Sequence, residues 1–279
     1  MSTPLFDQIQ EAVSFIKGKT ATPPKVGIIL GTGLSNLVDH IETEAEIAYA
    51  DIPHFPVSTV QSHKGKLVFG HLQGMPVIAM AGRFHYYEGY TAKQITFPVR
   101  VMAAMGVQRL VISNAAGSVN ASIKAGDIVF IRDHINLHPE NPLRGENDER
   151  LGPRFPDMLN AYDRSLNAKG LAVAKKLGIR AHEGVYLSLQ GPNLETPAEY
   201  KFAHVVGADL VGMSTVPEVI VARHANLPVL VLSVATNQCY PIEELTETTV
   251  DEVIAVAQSA EPKMREILSG LMPDLLSEG

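Results

Sequence analysis

Short uninterrupted apolar runs alternate with amphipathic segments along most of this chain. That is the pattern of a covered sheet with helices between its strands. The runs are VGIIL at 26–30, LVFGHL at 67–72, VIAMAG at 77–82, LVIS at 110–113, IVFI at 128–131, VYLSL at 185–189 and VLVLSVAT at 229–236. Runs apolar at every position are expected to be central strands buried on both faces.

Helices are predicted in the intervals. Residues 1–17 form an amphipathic segment with Leu5, Ile9, Ala12, Val13 and Ile16 on one face, Ser2 or Thr3 as cap and Pro4 in the first turn. Further helices are expected at 91–105, despite Pro98, and at 163–177, 197–206 and 216–225, with a C-terminal pair from about Thr248. Thr196-Pro197-Ala198-Glu199 and Thr215-Val216-Pro217-Glu218 both match the Thr-x-x-Glu capping box. Without an internal repeat or a stretch long enough for a linker, the reading is one α/β domain over 1–279.

Composition narrows the partners. A net charge of −7 over 279 residues argues against nucleic acid or an anionic membrane, though a local pocket can still hold a small anion. The single cysteine, Cys239, excludes an intramolecular disulfide framework and Cys-rich metal sites, and fits a reducing compartment. Neither a signal-peptide pattern nor an apolar run near the ~18 residues of a membrane span is visible, so a cytoplasmic enzyme is expected.

Candidate chemistry gathers after the apolar runs, where open α/β sheets bind ligands. GTGLSN at 31–36 follows the first run; its glycines let backbone N–H groups approach an anion, and Thr32 adds a hydroxyl. A dinucleotide fingerprint needs a glycine where Asn36 stands, and the P-loop lysine is missing, which weighs against a nicotinamide-dependent oxidoreductase. His63 lies in a polar turn before a strand, and Arg83 and His85 lie in GRFHYYEGY at a strand end. Arginine grips phosphate with two parallel donors, and histidine adds another. NAAGS at 114–118 offers small residues for close backbone approach, and Ser214 stands beside the start of a predicted helix, whose positive end favours an anion.

GRFHYYEGY, NAAG and GMSTVPEVIVARH together, with FPVSTV, TFPVRVMAAMG, GDIVFIRDHINL, NPLRG and NDERLGPRFPDM, closely resemble the trimeric purine nucleoside phosphorylases over nearly the whole chain. The resemblance implies a single-domain α/β fold on a mixed, partly barrel-like sheet flanked by helices. It also implies a homotrimer, and a reaction with inorganic phosphate as co-substrate and no metal or organic cofactor. Residue by residue it puts phosphate on Thr32 (usually a serine), His63, Arg83, His85, the Ala115 backbone and Ser214. Glu88 is expected to orient those groups. Ribose falls on Tyr87 and Met213, with Phe155 entering a neighbouring subunit's pocket; the base falls on Glu195 and Asn237, walled by Leu194 and Val211.

Cleaving an N-glycosidic bond leaves positive charge on ribose and negative charge on purine. Phosphate opposes the first and captures C1′, so no protein nucleophile is required. Asn237 can donate toward purine N7, and Glu195 can accept from N1–H. Adenine presents an acceptor at N1, so this pair favours 6-oxopurines such as hypoxanthine and guanine over adenine, with xanthosine the weaker fit. The sequence departs from the resemblance at Leu194, where an aromatic is usual, and near Val250, where a histidine is usual. Val250 is read either as core-facing helix packing or as tolerance of 5′-deoxy or 5′-methylthio sugars, which keeps a methylthio-nucleoside phosphorylase as the alternative. Nucleoside binding without catalysis is disfavoured by the intact Arg83, His85, Asn237 and Glu195.

Overall fold

The computed structural model describes residues 3–57, 59 and 64–276. Its strands are β1 (Val26–Ile29), β2 (Glu42–Ala48), β3 (Lys66–Leu72), β4 (Met75–Ala81), β5 (Arg109–Ser118), β6 (Ile128–Asn136), β7 (Ala181–Ser188), β8 (Leu210–Gly212) and β9 (Val229–Gln238). The helices are α1 (Leu5–Lys17), α2 (Ala92–Ile95), α3 (Phe97–Ala104), α4 (Arg164–Lys176), α5 (Pro197–Val205), α6 (Val216–His224) and α7 (Val250–Leu271).

All nine strands join one mixed sheet in the order β2-β3-β4-β1-β5-β8-β7-β6-β9, and β9 pairs back onto β5. The strands β5, β8, β7, β6 and β9 therefore close a ring, and β1 to β4 extend from it as an open wing. This is the partly barrel-like α/β sheet that the family resemblance implies. Apolar residues fill both faces: α1, α3 and α6 cover one through Ile9, Val13, Val99, Val101 and Val219, and α4 and α7 cover the other through Leu166, Ala174, Met264 and Ile267. No described helix is long and apolar enough to cross a membrane.

The apolar runs all fall on strands, and β1 is buried at every position. Two strands lack that signature. β2 reads ETEAEIA and exposes most of its side chains at the sheet edge, while β8 is only three residues long. NAAGS, expected to follow the LVIS strand, is its continuation within β5.

Several helix limits also differ from expectation. Helix α1 starts behind Pro4 as N-cap, with no side-chain cap; the expected alternative cap Ser2 lies outside the described residues. The segment expected as one helix at 91–105 is two, separated at Thr96, whose hydroxyl donates to Ala92 O at 2.7 Å while Pro98 takes up a place in the first turn of α3. The C-terminal pair is a single 22-residue α7 followed by a 3₁₀ turn at Met272–Asp274.

Candidate active site

The polar groups expected to bind an anion stand where β4 and β5 meet the start of α6. Arg83 follows β4 and is 1% exposed. Its Nη1 donates to Ser214 Oγ at 2.8 Å and Thr215 Oγ1 at 3.1 Å, and its Nη2 donates to Ser113 O at 2.6 Å. Its Nε lies 3.6 Å from the Glu218 carboxylate, which is itself buried. Burial pushes the Glu218 carboxyl above the ordinary carboxylate range, and the Arg83 charge opposes that rise.

This pairing replaces the expected second capping box. Thr215 has φ 72° and ψ −55°, and Val216 N–H donates to Ser214 O at 2.8 Å, so the chain makes a three-residue γ-turn at the entry to α6. A β-branched residue in that conformation is strained. Its hydroxyl is held by Arg83 and by Asn114 Nδ2 at 2.9 Å, and no side-chain cap forms. Glu218 is therefore drawn to a buried cation instead of its own helix end. The Thr196 box does form, with Glu199 N–H donating to Thr196 Oγ1 at 3.3 Å and Thr196 N–H to Glu199 at 2.7 Å.

Two residues on, His85 N–H donates to Glu88 Oε1 at 2.7 Å, and its ring Nδ1 lies 3.2 Å from the same oxygen. Thr59 adds backbone and hydroxyl donors to Glu88 Oε2 at 2.9 and 2.6 Å. Burial by itself would raise the Glu88 carboxyl, but these four hydrogen bonds outweigh it and hold the group down at about 2. Burial lowers the His85 ring's pKa, Arg83 adds to that, and Glu88 opposes it. The ring stacks on Tyr87 with centroids 4.7 Å apart. Burial raises the Tyr87 hydroxyl to about 12, which keeps it a neutral donor and acceptor at neutral pH.

A cavity of about 350 Å³ opens over these groups. Thr32, Arg83, His85, Ala115 and Ser214 are among the residues that line it. Glu195, Leu194, Val211, Asn237, Tyr87, Met213 and Val250 line it as well. Close backbone approach makes this possible: a Cβ on Gly31 would lie 2.8 Å from Asn114 Cα, and one on Gly117 would lie 2.7 Å from Cys239 Sγ. Asn237 projects from the end of β9, just past a register shift against β5, where Ala116 pairs with Ala235 and Gly117 with Asn237. Its Nδ2 donates to Cys239 Sγ at 3.1 Å and its Oδ1 accepts from Thr236 Oγ1 at 3.0 Å. Burial raises the Glu195 carboxyl, while its own backbone N–H and the Tyr200 hydroxyl pull it back.

The model of the phosphorylase superfamily matches residues 25–272. The chain is 49% identical over 267 residues to purine nucleoside phosphorylase 1 of Geobacillus stearothermophilus, covering 96% of this chain and 97% of that one. It is 44% identical to the purine nucleoside phosphorylase of Bos taurus over 98% of this chain and 97% of that one. The chain belongs to the purine nucleoside phosphorylases. Among solved structures, a Schistosoma mansoni purine nucleoside phosphorylase (isoform 2, in complex with cytosine and ribose-1-phosphate) superposes with a TM-score of 0.93 at 39% identity, covering 98% of each chain. A schistosoma enzyme in complex with hypoxanthine gives 0.93 at 38% identity, covering 99% of this chain and 100% of that one.

Not every residue expected in the site of this phosphorylase lies on its cavity. Glu88 is behind His85 and holds it. Phe155 is 86% exposed and borders a separate cleft with Arg144, Arg154 and Pro156. His63 lies outside the described residues. Val250 is the first residue of α7, 69% exposed and on the cavity wall beside Val253, so the core-packing reading of it is wrong. Tyr200, Thr236 and Val253 also line the cavity and were not anticipated. A signal for Tyr200 existed: it lies in the first turns of the helix that the Thr196 box starts beside Glu195.

Proposed function

We propose that this phosphorylase acts on 6-oxopurine nucleosides such as inosine and guanosine, giving the free base and (deoxy)ribose 1-phosphate. The observation that carries the reading is one cavity with an anion-binding wall at Arg83, His85, the Ala115 backbone and Ser214 and a purine wall at Glu195 and Asn237. In the proposed reaction the C1′–N9 bond breaks, its electron pair leaves with the purine, and a phosphate oxygen bonds to C1′. Phosphate supplies the charge that opposes the oxocarbenium-like sugar. Asn237 keeps its second N–H for purine N7, since the first goes to Cys239 and Oδ1 is turned to Thr236. Ionised Glu195 accepts from N1–H, which an adenine cannot offer. His85, held by Glu88, adds to the phosphate wall, and His63 is proposed to join it. Tyr87 and Met213 seat the ribose. Phosphate is the co-substrate, and the reaction uses no metal or organic cofactor.

The proposed assembly is a homotrimer in which Phe155 completes a neighbour's sugar site. Two large apolar side chains left exposed on one segment, Phe155 at 86% and Leu159 at 74%, support a contact between copies. The single cysteine is buried and unpaired in a disulfide, which suits a cytoplasmic location.

The test is turnover of inosine, guanosine, xanthosine, adenosine and 5′-methylthio analogues with phosphate present and absent. Inosine and guanosine should give ribose 1-phosphate only with phosphate. Equal cleavage without phosphate would make the enzyme a hydrolase. The alternative of a 5′-methylthio-nucleoside substrate has one observation behind it, the apolar Val250 and Val253 on the cavity wall. Preferred turnover of the methylthio analogues would select it.

A further inference from the structure

The anion wall contains a chain of hydrogen bonds whose direction is fixed from its buried end. Asn114 lies on β5 and is 1% exposed, and its Nδ2 donates to Thr215 Oγ1 at 2.9 Å. Arg83 Nη1 donates to the same oxygen at 3.1 Å and to Ser214 Oγ at 2.8 Å. The two hydroxyl oxygens lie 3.0 Å apart, a contact in which either could be the donor. Asn114 and Ser214 both line the cavity.

Counting hydrogens removes that choice. A hydroxyl has one hydrogen and two lone pairs. Asn114 and Arg83 occupy both lone pairs of Thr215, so the Thr215 hydrogen goes to Ser214 Oγ. That oxygen then accepts twice, from Thr215 and from Arg83, and its own hydrogen is left over. Among the described residues no acceptor takes it. The other hydrogen bonds of Ser214 are made by its main chain, N–H to Tyr186 Oη at 3.4 Å and C=O from Ser188 Oγ at 3.1 Å.

Burial sets the start of the chain. An asparagine amide can be turned end for end, and its surroundings decide which end faces where. Here Oδ1 is buried without a hydrogen-bond partner. Turned round, the amide would bury two N–H donors in that place, which costs more than one orphaned carbonyl. It would also take the Thr215 hydrogen. Ser214 would then donate to Thr215 and show the cavity a lone pair.

We propose that Asn114 and Thr215 are positioning residues for phosphorolysis that make the Ser214 hydroxyl a donor only, aimed at a bare oxygen of the phosphate co-substrate. The inference rests on the placement of phosphate against Arg83, His85 and Ser214 proposed above. A donor whose direction is already set loses no rotational freedom when the anion arrives. The chain therefore acts on phosphate affinity more than on the later steps.

The experiment compares wild type, Asn114→Leu, Ser214→Ala and Asn114→Leu/Ser214→Ala. Calorimetry gives the Kd for inorganic phosphate, turnover of inosine gives kcat and the KM for phosphate, and thermal melts show that each variant is folded. Asn114→Leu should weaken phosphate binding about 5-fold with a smaller change in kcat, and Ser214→Ala should weaken it about 10-fold or more. In the Ser214→Ala background, Asn114→Leu should change Kd by less than about 2-fold, because no hydroxyl is left to orient. The same loss in both backgrounds would mean packing alone and would overturn the inference, as would a wild-type Kd in Asn114→Leu.

If Asn114→Leu fails to fold, the isosteric Asn114→Asp decides the matter at about pH 8, where a carboxylate is ionised. Its carboxylate takes the Thr215 hydrogen and turns Ser214 into an acceptor. Phosphate can then present its own P–O–H to Ser214 and sulfate cannot, so sulfate should lose about 5-fold more affinity than phosphate. An equal loss for the two dianions would be charge repulsion only and would overturn the inference. A wild type that does not bind phosphate, or an unchanged Kd in Ser214→Ala, would remove the placement of phosphate itself. Sensitivity at Ser214 without coupling to Asn114 removes only this inference.

Discussion

Arg83 Nη1 meets the Thr215 hydroxyl at 3.1 Å, and Thr215 is the residue whose backbone stands at φ 72°. The strain puts a hydroxyl where an unstrained helix entry would not, and the buried arginine and Asn114 hold it there. Arg83, Ser214, Thr215 and Asn114 are thus held together by contacts within the chain. Thr215→Ala keeps the strained turn and loses both side-chain bonds. Thr215→Gly loses the same bonds but relieves roughly 1 kcal/mol or more of backbone strain. Both variants should raise the KM for phosphate several-fold, and the Gly variant should melt above the Ala variant. Phosphate titrations and thermal denaturation check this, and the reverse melting order would refute it.

Glu218 is the buried counter-charge of Arg83, with its side chain 5% exposed. Glu218→Gln keeps the shape and leaves the guanidinium without its carboxylate. Breaking a buried pair from one side costs about 3 kcal/mol or more. The variant should unfold at markedly lower urea concentration, and a midpoint within error of wild type would show that the pair contributes no net stability.

The pH dependence of folding has a defined sign at Glu88. Its carboxyl is ordinary in the unfolded chain and held at about 2 in the folded one. Stability from this group is therefore fully present above the unfolded value of about 4.5 and is lost as pH falls toward about 2. A shift of this size corresponds to at most about 3 kcal/mol. Glu88→Gln should flatten the acid loss of stability between those values, and chemical denaturation at stepped pH measures it.

Glu195 gives the opposite shift and a kinetic signature. Burial raises its carboxyl above 4.5, so the ionised form that accepts N1–H disappears as pH falls through that raised value. The acid limb of kcat/KM for inosine should lie above 4.5, and Glu195→Gln should remove it while lowering kcat/KM by about 100-fold or more. An unchanged limb in the variant would take Glu195 out of base recognition.

Asn237→Ala should lower kcat for inosine by about 100-fold, the typical loss of a donor that meets developing charge. The melting temperature should move far less than the rate. A variant with near-normal turnover would take Asn237 out of the reaction.

The buried strands were legible in the chain because burial on both faces writes an unbroken apolar run, as in VGIIL and VLVLSVAT. β2 was not, because an edge strand can be as polar as ETEAEIA and still pair. Most of the cavity wall was legible through family resemblance, since Arg83, Ser214, Glu195 and Asn237 sit in motifs at strand ends and helix starts. What the motifs could not carry was partner choice. Thr215 and Glu218 satisfy the capping pattern as a string, but a buried arginine just beyond β4 outcompetes a helix's own end. That Tyr200 and Cys239 share one buried cluster was likewise invisible, because it brings α5 to the chain beyond β9 across positions that neither segment marks.

The change of register between β5 and β9 falls between the part of β5 that meets Arg83 and the part that pairs with Asn237. As far as Ala116 and Ala235 the two strands run in step, and the residues that hold Arg83 and Ser214 are locked to that common frame. From Gly117 and Asn237 onward the pairing resumes one residue out of step, with Thr236 as the extra residue, and Cys239 N–H still donates to Ser118 O at 2.7 Å. Deletion of one residue at Thr236 would restore the common register and turn the Asn237 side chain to the opposite face of β9, while Ser113 kept its contact with Arg83.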